Sequence, residues 1–295
     1  MPNPLVEVFG FPTDNFSPEA KRARSSKLCP YNNKVPNCTK DKALDPLGVC
    51  SIYENSEGVI AVTCPVRFRQ DWLIADDASK FFFPSGSSWT SLTEVRLKDG
   101  NGQSAGNIDV VLVSYDAQGR ITDFGSLEVQ AVYISGNVRN PFEHYMKDQK
   151  RRANMEWDGA NYPRPDYLSS SRKRLAPQLI YKGGILQAWG KKQAVAIHKE
   201  FYATLPKLPE VAPEKAEIAW FLYDLEFDKK TNRFNLVLYK TVYTAFEPAL
   251  LKITTAPAGP LEDFIAILQD KLDERLQSNA PDAPTLQDML GGANQ

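Results

Sequence analysis

Alternating apolar and polar residues mark three strands in the middle of the chain. Period-two alternation is typical of a strand with two different faces, and it predicts strands at residues 92–97, 108–114 and 124–133. The turn sequence DAQGR joins the last two, which indicates a β-hairpin. Glu128 and Gln130 are two positions apart in the third strand, so both project from the same face. A carboxylate and an amide therefore stand side by side in a strand with apolar flanks.

A helical pattern follows this hairpin. Residues 140–157 predict a helix with Asn140 as its N-cap, Pro141 at its first position and Glu143 at the spacing of a capping box. Three consecutive basic residues at 150–152 either lie near a nucleic-acid backbone or complement the dipole of this helix.

Further helices and a second hairpin complete the predicted elements. Residues 168–182 and 185–204 indicate two helices separated at Gly183 and Gly184, and residues 258–278 indicate an amphipathic acidic helix. The segments EIAWFLYDLEFD and RFNLVLYKTVYTAF flank the turn sequence KKTN, which predicts two long antiparallel strands. Strands and helices in this order indicate an α/β fold.

Composition places the chain among ordinary globular proteins, since 42% of its 295 residues are hydrophobic and 24% are charged. No apolar run in the sequence approaches the roughly 18 residues of a membrane span. The first residues lack the basic and apolar regions of a signal peptide. We therefore expect a soluble, cytoplasmic protein.

The net charge of −1 argues against a general polyanion binder, but the charges are segregated. Residues 167–199 contain seven Lys or Arg and no Asp or Glu. A local basic surface fits the phosphates of a nucleic acid, and it equally fits a solvated face whose acidic partners lie elsewhere. If DNA binds, the candidate contacts are two basic clusters, Lys150, Arg151 and Arg152, and Arg172, Lys173 and Arg174.

Four cysteines lie in the first quarter of the chain: Cys29, Cys38, Cys50 and Cys64, with the spacing C-x8-C-x11-C-x13-C. Cytoplasmic thiols stay reduced, so two structural disulfides are not expected. Four thiolates suit a tetrahedral zinc or a mononuclear iron, although the spacing lacks the C-x2-C knuckle of a zinc ribbon. We predict one closed, structural metal site, with unrelated core cysteines as the alternative.

A candidate catalytic site consists of Asp109 in the second strand and Glu128 and Gln130 in the third. Two carboxylates at short range repel each other unless a cation offsets their charge. Together with a substrate phosphate they would make an oxygen-rich site suited to Mg²⁺, which activates water and stabilises charge on phosphate. Gln130 would orient that water. The alternative is that all three are ordinary polar positions of strands.

The combined pattern resembles the NotI-like type II restriction endonucleases, a branch of the PD-(D/E)XK nucleases. The cysteine segments CPY, CTK, GVC and TCP carry the resemblance, followed by Glu94, Asp109 and the segment FGSLEVQ. Downstream, LSSSRKRLAPQLIYKGGILQAWG and AWFLYDLEFD are also similar to the family. The short chain, the cysteine spacings and the tight hairpin between Asp109 and Glu128 differ from the family pattern, which leaves the target sequence open.

The resemblance implies a PD-(D/E)XK core with a mixed central sheet flanked by helices, preceded by a four-cysteine iron-binding module. Zinc fits the thiols equally well. Asp109 and Glu128 would bind the catalytic Mg²⁺, and Gln130 would take the position usually held by lysine. Glu94 would be a further acidic residue of the site, unless it only pairs with Arg96. The implied reaction is hydrolysis of phosphodiester bonds at a short specific site in double-stranded DNA.

We predict a four-cysteine metal module at residues 1–75, a nuclease core with helical additions at 76–280 and a flexible tail at 281–295. A homodimer is expected, because a two-fold assembly cuts both strands of a palindrome symmetrically. A DNA methyltransferase would be the functional companion in a restriction–modification system. The alternatives are a catalytically inert DNA-binding or scaffold protein, and a repair or modification-dependent nuclease.

Overall fold

The structure is a computed structural model that describes residues 1–32, 36–40, 45–54, 58–158 and 161–278. The chain divides into two compact units, Met1–Thr254 and Thr255–Gln295. The predicted tail at residues 281–295 lies outside the described residues. The predicted boundary at residue 75 stays a prediction.

The strands of the first unit vary from short bridging segments to long hairpin arms. In chain order they are β1 (Leu5–Val8), β2 (Phe11–Pro12), β3 (Val49–Tyr53), β4 (Ile60–Val62), β5 (Trp89–Lys98), β6 (Ser104–Tyr115), β7 (Ile121–Gln130), β8 (Tyr133–Ser135), β9 (Arg164–Asp166), β10 (Gln193–His198), β11 (Ile218–Asp228) and β12 (Arg233–Thr244).

The α-helices lie between these strands and after the last of them. They are α1 (Pro18–Ser25), α2 (Leu73–Phe82), α3 (Arg139–Lys147), α4 (Gln149–Arg152), α5 (Tyr167–Ser170), α6 (Ala176–Gln178), α7 (Gly184–Ala188), α8 (Lys199–Ala203), α9 (Phe246–Thr254) and α10 (Leu261–Ser278). Within the described residues, 3₁₀ segments occur at Pro65–Trp72 and Pro213–Lys215.

Residues 167–188 form one continuous helical stretch, which we call the interrupted helix. Its α-helical parts α5, α6 and α7 alternate with π-helical turns at Ser171–Leu175 and Leu179–Gly183. Pro177, which has no backbone N–H to donate, lies between the two π-helical turns. Such widened turns re-aim side chains and are frequent at functional sites.

The central sheet has the strand order β12–β11–β10–β7–β6–β5. Strands β7, β10 and β11 are parallel, whereas β5, β6 and β12 join the sheet by antiparallel pairing. The sheet is therefore mixed and flanked by helices, which confirms the predicted fold class at this level.

Different helices cover the two faces of the central sheet. On one face Ile74, Ala78 and Phe82 of α2 pack against Leu112 and Leu127. Because side chains alternate along a strand, the neighbours of Leu127 in β7, Ser126 and Glu128, belong to the other face.

The other face of the central sheet packs against the interrupted helix and α9. Leu175 and Leu179 of the interrupted helix contact the same apolar cluster as Val195, Trp220 and Phe246. The interrupted helix thus lies above the strand face that carries Glu128 and Gln130.

The amino-terminal part of the chain builds its own antiparallel sheet, in the order β2–β1–β3–β4. A buried ion pair fastens it to the central sheet, since Arg67 binds Glu7 of β1 and donates to the backbone carbonyl of Phe234 in β12. The two sheets therefore share one compact unit.

The strand predictions agree with the structure. The predicted strands at 92–97, 108–114 and 124–133 correspond to β5, β6 and β7, although β7 ends at Gln130. The second predicted hairpin is β11–β12.

The prediction of a helix at residues 185–204 was wrong. The chain continues helically through Gly183 and Gly184 to Ala188, and residues 193–198 then form β10, a fully buried strand in the middle of the sheet. The segment QAVAIH is a short apolar run, and periodicity alone cannot assign such a run to a helix or a strand. Its parallel neighbours β7 and β11 decide the matter, because they satisfy its backbone hydrogen bonds on both sides.

The predicted helix at 140–157 is two short helices instead of one. α3 starts after Val138 and so contains Asn140, which is not its N-cap. The helix breaks at Asp148, whose side chain accepts a hydrogen bond from the backbone N–H of Arg151 and so caps α4.

The second unit contains α10, close to the predicted amphipathic helix at 258–278. Phe264, Ile265, Leu268 and Leu272 of this helix are exposed. Among the described residues, no helix combines the length and the apolar character that crossing a membrane would require.

Candidate active site

Asp109 and Glu128 meet where the pairing of β6 with β7 ends. The last paired residues are Val110 and Leu127, so Asp109 and Glu128 occupy the next position of each strand and share one face. Beyond this point the Asp109 side chain satisfies the strand backbone, because its Oδ2 accepts a hydrogen bond from the Val129 N–H at 2.8 Å. The end of the ladder thus brings two carboxylates together.

The two oxygens of the Glu128 carboxylate have different surroundings. Glu128 is only 7% exposed. Its Oε2 accepts a hydrogen bond from Lys182 Nζ at 2.7 Å, whereas its Oε1 is buried without a hydrogen-bond partner among the described residues. Burial, and after it the neighbouring Asp109 carboxylate, raise the pKa of Glu128 to about 8, while the Lys182 ammonium opposes them. Oε1 of Glu128 therefore lies near a second carboxylate without a donor of its own, which is a position that a cation could occupy.

Gln130 lies two residues further along the same strand face and is also buried. Its side-chain amide donates a hydrogen bond to Oε1 of Gln178 in α6. Gln130 is thus held in a fixed orientation beside the carboxylates, with no charge of its own.

Lys182 and Gln178 were missed in the sequence, and both come from the interrupted helix. They are four residues apart on a helix, a rise of about 6 Å, which matches the separation of about 6.6 Å between Glu128 and Gln130 on a strand. The signal was present as a polar pair at helical spacing within an otherwise apolar segment. The position of the helix over β7 could not be read from that spacing.

Glu94 lies in β5, at the edge of the candidate site. The register of β5 with β6 places it opposite Asp109, between the pairs Thr93–Val110 and Val95–Ile108. It is exposed, and its backbone adopts a left-handed conformation with φ of 57°. Such a conformation is unusual for a residue other than glycine and interrupts the regular strand at that position. Among the described residues, no hydrogen bond or ion pair joins Glu94 to the other site residues, so its catalytic role stays a prediction.

The donor set of Asp109 and Glu128 fits a hard divalent cation such as Mg²⁺. Carboxylate oxygens are the ligands that this ion prefers, and the unpartnered Oε1 of Glu128 supplies one in a buried position. No group of three or more His, Cys, Asp or Glu side chains in the described part of the chain is arranged to hold a metal ion. Two protein carboxylates would therefore need water and substrate oxygens to complete the coordination.

The four cysteines are free thiols, with Cys38, Cys50 and Cys64 buried and Cys29 half-buried. Cys50 lies in β3, and Cys64 precedes the 3₁₀ segment that follows β4. In the described part of the chain they do not form a metal-binding group. The predicted four-cysteine metal module is therefore not seen as a closed site.

The thiols are nevertheless close enough for their charges to interact. Burial, and in addition the proximity of Cys64 and Cys38, raise the pKa of Cys29 to about 11. Burial and Cys64 likewise raise the pKa values of Cys38 and Cys50. A bound cation would favour the thiolate forms that burial and this proximity disfavour.

The predicted DNA-binding residues form two groups on the surface. Lys150 and Arg151 of α4 are exposed, whereas Arg152 is half-buried and donates to the backbone carbonyl of His144. The second group, Arg172, Lys173 and Arg174, is exposed on the first π-helical turn. This places the second group on the interrupted helix that also carries Gln178 and Lys182.

Comparison with known protein families gives one finding. A family model described as restriction endonuclease NotI matches residues 14–236, which is most of the chain and includes all four cysteines and both carboxylates of the site. A search of curated proteins finds no match.

Proposed function

The chain belongs to the NotI restriction endonuclease family and is a hydrolase acting on DNA, and from that premise we propose a type II enzyme that cleaves double-stranded DNA at a short specific site with Mg²⁺. The observation that carries this proposal is the convergence of Asp109 and Glu128 at the end of the β6–β7 ladder, with Oε1 of Glu128 unpartnered among the residues that the structure describes. Two carboxylates on adjacent strands of a mixed sheet support a core of the PD-(D/E)XK type.

The reaction is the hydrolysis of a phosphodiester. A water oxygen forms a bond to phosphorus, the P–O bond to one sugar breaks, and the proton that the water loses is balanced by the one that the leaving sugar oxygen gains. Asp109 and Glu128 would hold the Mg²⁺, which supplies an activated water and stabilises charge on the phosphate. Gln130 would orient the water by hydrogen bonding and cannot act as a base, because its amide does not titrate.

DNA contacts are proposed for the two basic groups, Lys150, Arg151 and Arg152, and Arg172, Lys173 and Arg174. The exposed cluster at 172–174 supports this most directly, because it lies on the helix that covers the catalytic strand face. Lysine and arginine contacts of this kind neutralise phosphates and make binding depend strongly on salt.

A homodimer and a companion methyltransferase belong to the same proposal. Two copies related by a two-fold axis would present two catalytic sites to the two strands of a palindromic site. A methyltransferase that modifies the same site would protect the host DNA.

The test is cleavage of plasmid DNA with Mg²⁺ by the wild type, Asp109→Asn, Glu128→Gln and the control Asp116→Asn. Asp116 is a half-buried carboxylate in the turn between β6 and β7, remote in sequence from the site residues of both strands, so its variant should cut like the wild type. Discrete fragments from the wild type and the control, absent in the two site variants, would support the proposal. Intact DNA in every lane, on modified and unmodified plasmid alike, would point to an inert binding protein. A smear, or cutting of modified DNA alone, would point to a repair or modification-dependent nuclease.

We also propose that the four cysteines hold an iron ion, with zinc as the alternative, in a structural role. Support comes from the reduced, largely buried thiols and from the proximity of Cys64, which contributes to the raised pKa values of Cys29, Cys38 and Cys50. Metal content is the direct measurement. The purified wild type should carry about one iron or zinc per chain and Cys64→Ser should carry none. A ferric-thiolate absorption in the visible range would select iron, and a metal-free, fully stable wild type would contradict the proposal.

A further inference from the structure

Lys182 is a buried cation that has no role in the reaction proposed above. It is 4% exposed and lies in the second π-helical turn of the interrupted helix. Its Nζ donates to Glu128 Oε2 at 2.7 Å and to the backbone carbonyl of Asn107 at 2.8 Å. Burying an ammonium is costly unless it is paired and hydrogen-bonded, so this placement needs a reason beyond chance packing.

The helix packs unusually close to the sheet at this point. A side chain at Gly183 would have its Cβ 2.8 Å from both Oε1 of Gln193 and a ring carbon of Phe246. Gln193 also donates to the backbone carbonyl of Gly183 at 3.0 Å, which ties the helix to β10. The close approach brings the adjacent Lys182 within reach of β6 and β7.

Lys182 has donor capacity to spare. An ammonium has three N–H donors, and the described residues supply two acceptors, Glu128 Oε2 and the Asn107 carbonyl. The third N–H has no acceptor among the described residues and belongs to the same ammonium that binds Glu128. Gln130 occupies a fixed position but is neutral, so it cannot place a positive charge at the site.

We infer that Lys182 is the fixed cation of the catalytic site, which holds Glu128 through Oε2 and directs its remaining N–H to an oxygen of the scissile phosphodiester. This inference rests on the proposed nuclease function. A preorganised donor that strengthens as negative charge develops on phosphate lowers the barrier of the chemical step more than it improves ground-state binding. The rival role is that of a counter-ion that only neutralises a buried carboxylate.

The two roles differ in what a neutral variant loses. We expect Lys182→Met to lower the single-turnover cleavage rate constant by at least about 100-fold at saturating DNA and Mg²⁺. The Kd for the same DNA, measured with Ca²⁺ in place of Mg²⁺, should change by less than about threefold, since most binding comes from other phosphate contacts. Lys182→Arg, which keeps the charge, should recover part of the rate. Lys182→Gln keeps a donor for Glu128 and carries the test if Lys182→Met does not fold, which thermal unfolding in EDTA will show.

Lys191→Met is the matched control. Lys191 follows the interrupted helix and pairs with Asp123 of β7 at 2.6 Å, not with Asp109 or Glu128. The Lys191→Met variant should cleave DNA like the wild type. If the wild type and this control do not cleave DNA, the proposed function fails. If both cleave and the neutral Lys182 variants cleave within about threefold of them, only the role of Lys182 fails. Equal loss of rate and DNA affinity in all three Lys182 variants would identify a structural counter-ion and would also overturn the inference.

Discussion

Two buried carboxylates of this protein, Glu7 and Glu128, each pair with one cation, and the pairs differ in how completely they are satisfied. Arg67 Nε lies 3.1 and 3.0 Å from the two oxygens of Glu7, and the Ser51 hydroxyl donates to Oε2 at 2.8 Å. Within the described part of the chain, Glu128 receives Lys182 on one oxygen, has no partner on the other, and faces a second carboxylate in Asp109.

The electrostatic consequences follow from this difference. Burial alone would lower the pKa of Arg67, but the Glu7 carboxylate raises it above its usual range, so the guanidinium stays charged. The pKa of Glu128 is raised to about 8, first by burial and then by Asp109. A saturated pair fastens two sheets together, whereas a half-satisfied pair beside a like charge is arranged to accept a ligand. The predictions below test this distinction.

The largest expected effect is on activity, from Glu128→Gln. Losing one of the two carboxylates proposed to hold Mg²⁺ should lower the cleavage rate by about 1,000-fold or more, on the order of 4 kcal/mol of transition-state stabilisation. Without metal, the raised pKa keeps the Glu128 carboxyl largely protonated at neutral pH, so the stability of the fold should change little. Single-turnover kinetics and urea unfolding in EDTA measure the two quantities. A large loss of stability with intact cleavage would show that Glu128 has a structural role and not a catalytic one.

Arg67→Met should show the opposite pattern. It leaves the Glu7 carboxylate buried without a cation, with only the Ser51 hydroxyl as a donor, which should cost about 3–5 kcal/mol of unfolding free energy. Cleavage per folded molecule should stay near the wild-type value, because Arg67 does not touch the candidate site. Urea titrations, with activity assayed at a temperature where the variant is folded, give both values. An inactive but stable Arg67→Met would refute the division between the two pairs.

The pH dependence of stability should reveal Glu128 in the absence of metal. Because its pKa is raised from 4.5 to about 8, the folded protein holds a proton that the unfolded chain releases. That contribution is fully present below about pH 4.5 and is lost as the pH rises through about 8. In EDTA the wild type should therefore lose a few kcal/mol relative to Glu128→Gln between about pH 5 and pH 9. Parallel curves for the two proteins would show that Glu128 does not titrate in this range.

The smallest effect is expected from Ser51→Ala. This change removes one hydrogen bond to the Glu7 carboxylate and leaves the contacts of Arg67 in place. A hydrogen bond to a charged group contributes about 1.5–3 kcal/mol, and the low end applies here because Arg67 still reaches both oxygens. Urea unfolding is the measurement, with unchanged cleavage as the companion observation. A cost equal to that of Arg67→Met would mean that the pair is less saturated than its distances indicate.

Local patterns predicted much of the sheet. Alternation and turn chemistry located β5, β6 and β7 and the β11–β12 hairpin, because each depends on residues that are close in sequence. The same reasoning failed at QAVAIH, which is apolar throughout and becomes β10 only because two parallel strands flank it. It also failed at Asp148, where the backbone leaves helical geometry and the side chain caps a second helix.

The candidate site also combines residues that local patterns predicted with residues that they did not. The sequence by itself placed Asp109, Glu128 and Gln130 on neighbouring strands, since a tight hairpin sets their register within about 20 residues. Only the tertiary structure added Gln178 and Lys182, because Lys182 is 54 residues from Glu128 and reaches it across the packing of a helix on a sheet. That packing depends on the close approach at Gly183, the widened π-helical turn and the apolar cluster beneath it. Strand register is set by residues that are close in sequence. The distance between a helix and the sheet beneath it depends on every side chain packed between them.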